Sequence, residues 1–273
     1  MMALQLIAGI LIPLGLMLYF YKKRKLKLST FFIGCGTWFV AVVVLEGIVH
    51  SLILYASPWG DRILENTLLY ALYGGLMAGV FEETARFVVF KTLLRKQQGR
   101  DETALMYGAG HGGFECFYIM VIGAVNLLFY SFAINSGEML ESAAGVDSEI
   151  MAQVEEAINQ LATVSPASYL FGIQERISAV ILHMALSVLV WFAAKERVKK
   201  IGLLFLAIAL HFAVDAISVL LSSVLSLFLV ELVILAMALG TAFIAYKVWK
   251  KYSRPELEPE AFEAGPRIGD MYP

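Results

Sequence analysis

The chain has 273 residues and a net charge of −2. Hydrophobic residues make up 59% of it and charged residues only 16%, where soluble domains carry about a quarter charged. The near-neutral balance provides no electrostatic footprint for nucleic acid. Two cysteines in separate apolar runs, Cys35 and Cys116, give neither a disulfide framework nor a cysteine-based metal site.

The apolar residues gather into seven runs, each long enough to cross a bilayer at about 1.5 Å per residue: about 2–21, 29–56, 67–94, 103–133, 168–194, 201–222 and 225–247. The expected fold is an all-α polytopic membrane protein with one transmembrane domain over 1–250. The first run has no small-residue cleavage site and is followed by Lys22-Lys23-Arg24-Lys25, so it reads as a retained span. Basic clusters follow runs one, three, five and seven, while the opposite loops carry almost none. The positive-inside rule then places the N-terminus outside and the C-terminus in the cytoplasm. Segment 134–167 is acidic, and Ile150, Val154, Ala157, Ile158 and Leu161 recur at helical spacing. It predicts one extracytoplasmic amphipathic helix, about 147–163. Residues 251–273, rich in Pro, Glu and Gly, read as a disordered cytoplasmic tail.

The third run contains Phe81-Glu82-Glu83-Thr84-Ala85-Arg86. Carboxylates and a guanidinium in hydrocarbon cost a few kcal/mol each, so they face a bundle interior and mark a site. Counted from the cytoplasmic ends of their runs, Glu82 and Glu83 sit at about the same depth as His111, His183 and His211. That depth is roughly 12–18 Å at 1.5 Å per residue. His50 lies much nearer the outer end of its run and is excluded.

Local spacing adds partners. Glu82 and Arg86 are i,i+4 on one helix face, which predicts that Arg86 pairs with Glu82. His111 and Glu115, His183 and Ser187, and His211 and Asp215 have the same spacing. A carboxylate one turn from a histidine serves as co-ligand or as the acceptor that fixes the imidazole tautomer of a metal ligand. Gly108, Gly110, Gly112 and Gly113 around His111 permit close helix approach. Glu175 and Arg176 are a further pair of mid-span charges, readable as an ion pair or a gate.

Three imidazoles and several carboxylates match the donor preference of Zn2+, with His111, His183, His211, Glu115 and Asp215 as candidate metal residues. Adjacent helix residues diverge by roughly 100°, so Glu82 and Glu83 do not both ligate one ion. Glu82 is assigned as catalytic base or co-ligand, with Glu83 second and Arg86 as its partner.

Glu82-Glu83-Thr84-Ala85-Arg86 resembles the Glu-Glu-x-x-x-Arg signature of the CAAX-protease and bacteriocin-processing superfamily. The segment Gly110-His111-Gly112-Gly113-Phe114-Glu115 and the later His211-Phe212-Ala213-Val214-Asp215 are similar to its second and third motifs. The Gly-His-Gly-Gly-x-Glu form together with His183 most resembles the YhfC family of intramembrane metalloproteases. The likeness covers roughly 70–220. It implies an integral protein of a bacterial plasma membrane that hydrolyses a peptide or membrane-protein substrate within the bilayer. In that pattern the first glutamate and the second-motif histidine activate water. The third-motif histidine and its i+4 partner bind metal or stabilise the oxyanion. Asp215 stands where many relatives have Asn, which favours a ligand-orienting role here. Other readings remain open: a non-proteolytic binding or immunity protein of the same fold, an ion-coupled transporter, and a haem protein.

Overall fold

The computed structural model describes residues 1–137, 151, 152, 156, 158, 159 and 164–253. The predicted amphipathic helix falls largely, and the predicted tail beyond Ser253 wholly, outside the described residues. Among the described residues, every long element is a helix: α1 Met2–Lys22, α2 Leu28–Tyr55, α3 Thr67–Lys91, α4 Thr103–Ser136, α5 Pro166–Ala194, α6 Gly202–Ser222 and α7 Leu227–Tyr252. Six of them are long and apolar enough to cross a membrane. The exception is α3, equally long at 25 residues but bearing Glu82, Glu83, Arg86 and Lys91. Helix α3 ends at Lys91, short of the expected boundary, because the chain turns at Thr92 and the Gln98 amide donates to the Phe90 carbonyl at 3.2 Å. At the other extreme α7 runs on to Tyr252. Its terminal lysines lie along the helix, Lys250 over the Tyr246 ring, so their aliphatic stems stay on apolar surface.

Helix α5 is the central pillar. Of its most apolar stretch 78% is buried, against 11–28% in the other five, and it packs against α1, α3, α4, α6 and α7. The outer helices turn Leu11, Phe32, Leu52, Phe129, Phe205 and Phe243 outward. An exposed apolar belt of this kind is what a helix facing lipid requires. The interior is close-packed through glycine on α4. A Cβ at Gly110 would fall 2.0 Å from the Phe31 carbonyl oxygen on α2, and one at Gly112 would fall 2.9 Å from His183 Cβ on α5. Only a residue without a side chain lets α4 approach both neighbours. The π-helical turn Tyr118–Ile122 follows directly in α4, and a longer one, Phe39–Glu46, lies in α2.

The connection between α3 and α4 is pinned to the end of α5. Asp101, buried, accepts from Trp191 Nε1 at 2.8 Å and from Lys195 Nζ at 2.5 Å. Gln98 accepts from the Glu196 backbone amide at 3.0 Å. These bonds fix the register of α3 and α4 on α5, and hence where their polar residues meet.

Candidate metal and acid–base centre

The four helices α3 to α6 deliver their polar side chains to one buried cluster with Glu82 at its hub. His111 Nε2 lies 2.7 Å from Glu82 Oε2, His183 Nδ1 lies 3.8 Å from the same oxygen, and His211 Nε2 lies 4.0 Å from Glu82 Oε1. The imidazole rings of His111 and His183 are 5.0 Å apart between centroids, and those of His183 and His211 are 5.2 Å apart. Each ring turns one nitrogen toward Glu82 and has its other nitrogen beside a polar partner. For His111 that partner is the Tyr107 hydroxyl, 3.5 Å from Nδ1. For His183 it is Glu115, whose Oε2 is 2.5 Å from Nε2. For His211 it is Glu83, whose Oε1 is 2.9 Å from Nδ1.

These partners assign tautomers. Glu83 is paired with Arg86 and accepts from His211 Nδ1–H, so that proton sits on the Glu83 side. Arg86 can only donate, and its NH2 group is 3.1 Å from His183 Nδ1, so the His183 proton sits on Nε2, facing Glu115.

The donor set fits a divalent metal. Glu82, His111 and His183 are all buried, and each offers an atom within 4.8 Å of the others. Each imidazole turns one nitrogen to this side, bonded to Glu82 for His111 and to Arg86 for His183, with a polar partner at its other nitrogen as metal-binding histidines have. Ligation by His183 Nδ1 would exchange the Arg86 hydrogen bond for a metal bond. Beside this cluster lies a cavity of about 100 Å³, bounded by Glu82, His183, His211 and Asp215 and, further along α5, by Glu175 and Arg176.

A family model described as YhfC intramembrane metalloprotease matches residues 8–235. The chain belongs to the YhfC family. A protein of Bacillus subtilis (strain 168) described as "Uncharacterized membrane protein YhfC" is 35% identical over 188 residues, 68% of this chain and 71% of the relative. No solved structure matches the chain. With six apolar helices of spanning length, this YhfC-family chain is an integral membrane protein.

All eight residues singled out in the YhfC-like motifs reach the cluster, but three local pairings differ from those expected from spacing. Arg86 pairs with Glu83 at i,i+3 and not with Glu82. Positions three and four residues on are both neighbours on a helix, and the contact to His183 draws the guanidinium to the Glu83 side. Glu115 pairs with His183 across the helix interface instead of with His111 on its own helix. Ser187 donates to the His183 backbone carbonyl at 2.7 Å and leaves the imidazole alone. Asp215 stands at the rim, its Oδ2 3.5 Å from His211 Nε2 and its side chain 37% exposed. His50 lies apart, bonded to Tyr73 and Glu46. Two contributors went unassigned from sequence, Tyr107 and Arg176. Arg176 donates to Glu115 at 2.6 Å and pairs with Glu175. The signal for it was a mid-span charge two helical turns from His183 on the same helix.

Proposed function

We propose that the chain is a metal-dependent peptidase that hydrolyses a peptide bond inside the membrane, related to the CAAX-protease superfamily, with Glu82 as its acid–base residue. The observation that carries this reading is the convergence of three imidazoles from three helices on one buried carboxylate, at 2.7, 3.8 and 4.0 Å. Vicinal glutamates in hydrocarbon have no place in a haem pocket, and the cluster forms one focus rather than a path across the bilayer.

A bound divalent ion, Zn2+ by donor preference, would be held by His111 and His183 with His211 beside them, and would polarise a carbonyl and acidify water. Glu82 stands where it can take a proton from that water and return it to the leaving amine. Arg86 holds Glu83, and Glu83 holds His211, so the face opposite Glu82 is fixed before substrate arrives. The His211 Nε2 edge and Asp215 line the cavity, the place for the substrate carbonyl oxygen. The basic clusters after α1, α3, α5 and α7 support an outside N-terminus and a cytoplasmic C-terminus in a bacterial plasma membrane. Peptide or membrane-protein substrates fit a site at this depth.

The test is metal content together with cleavage. Purified wild type should carry near-stoichiometric zinc and His111→Ala much less, with the fold retained. Glu82→Gln should lose cleavage of a transmembrane peptide by at least about a hundredfold. Equal, trace zinc in wild type and His111→Ala would refute the metalloenzyme reading.

A further inference from the structure

Arg176 lies seven residues before His183 on α5, and so about two turns away along the same face. Its side chain is largely buried, 11% exposed, in a wall of the cavity. One guanidinium nitrogen donates to Glu115 Oε1 at 2.6 Å and the other pairs with Glu175. The second oxygen of Glu115 is 2.5 Å from His183 Nε2. Arg176, Glu115 and His183 therefore form one chain across the α4–α5 interface, and it ends on the ring that turns Nδ1 toward Glu82.

We infer that Arg176 is a positioning residue of this site: it clamps Glu115 so that its carboxylate stays against the Nε2 edge of His183, 2.5 Å away, and directs Nδ1 at the Glu82–His111 cluster. The reasoning rests on the metal-centre reading for its purpose but not for its geometry. Glu115 hangs from α4 by a flexible stem, and the α4 backbone here contains glycines and a π-helical turn that do not fix it. A planar guanidinium with two donors in fixed geometry does. Glu175, on the far side of the guanidinium with a side chain 39% exposed, seats Arg176 without touching His183. The device matches the outer-sphere carboxylates that orient metal-binding histidines, extended by one residue.

The experiment uses the full chain in detergent micelles, metal-free, with ¹⁵N-labelled histidine. Only four histidines are present, and a His183→Asn variant assigns the His183 signal. Wild type should show a downfield, slowly exchanging Nε2 proton for His183. Arg176→Gln and Glu115→Gln should lose it to solvent exchange. Arg176→Lys, with a point charge in place of the fork, should give an intermediate shift, and Glu175→Gln should keep the wild-type resonance. Circular dichroism confirms the helical fold of each variant. An Arg176→Gln protein with the wild-type resonance overturns the proposal. If that variant does not fold, an Arg176→Lys resonance identical to wild type overturns it. A zinc titration separates this from the function itself. Arg176→Gln should bind zinc about tenfold more weakly. Failure of wild type to bind zinc would defeat the metalloprotease reading while the proton resonance still decides the role of Arg176.

Discussion

Replacing Arg86 by methionine removes the positive partner of Glu83 while keeping most of the side-chain volume. Both groups are fully buried, at 0% side-chain exposure. Removing one member of a buried ion pair leaves an uncompensated charge and costs about 3–5 kcal/mol. Arg86→Met should lose that much, and the loss should depend on Glu83. In the double variant Arg86→Met with Glu83→Gln the orphaned carboxylate is gone, so much of the cost should disappear. The expected coupling energy is about 2–3 kcal/mol, near the upper end for residues in direct contact. The same cycle with Glu82→Gln should give less than about 1 kcal/mol, since Glu82 bonds to His111 and not to Arg86. The assay is reversible unfolding in mixed micelles, followed by far-ultraviolet circular dichroism. A Glu82 coupling as large as that of Glu83 would refute the pairing and restore the one expected from i,i+4 spacing.

Gly112→Ala should cost about 1–3 kcal/mol through its 2.9 Å approach to His183 Cβ, whereas Gly123→Ala on the same helix meets nothing within 4 Å and should be neutral or mildly stabilising; melting temperatures of the two compare them directly. Asp101→Ala strips the buried Trp191 N–H of its acceptor and should cost about 1–3 kcal/mol, with a change in tryptophan fluorescence reporting the site. Just beyond the C-terminal end of α5, Lys199 and Lys91 hold the half-exposed Glu196 carboxyl below its usual range. Stability from a depressed carboxyl is present above its unfolded value, about 4.3, and is lost as pH falls through the folded value. Wild type should therefore lose melting temperature more steeply than Glu196→Gln below about pH 5, and about 1 M salt should erase the difference.

Spans and site depth were legible in the sequence because both depend on one-dimensional quantities. Run length and helical rise place Glu82, His111, His183 and His211 in one slab whatever the helix packing. Pairing was less legible. Spacing offers Arg86 two neighbours, Glu83 and Glu82, and the choice is made by His183, 97 residues away. Glu115 has a histidine one turn back, yet pairs with one on α5, because Gly112 brings that helix within reach. Glu83 had no derivable role, since its function as the bridge between Arg86 and His211 exists only once α6 lies against α3. Arg176 was visible as a charge in an apolar run, and nothing one-dimensional connects it with Glu115.

The pairing of Glu83 with Arg86 inside one helix also bears on how the protein is made. Each charge at the centre of a lone span raises the cost of insertion by about 2.5–3.5 kcal/mol, and α3 carries three near its middle. Their partners His183 and His211 lie on α5 and α6, about 100 and 130 residues further along the chain, so α3 is synthesised well before them. The contact between Glu83 and Arg86 is available at once, because both belong to the arriving segment. It masks two of the three charges through the interval of synthesis and leaves Glu82 to wait for His111 on the next helix. The partners of the buried cluster thus become available in chain order, Glu83 and Arg86 together first, His111 next and the α6 histidine last.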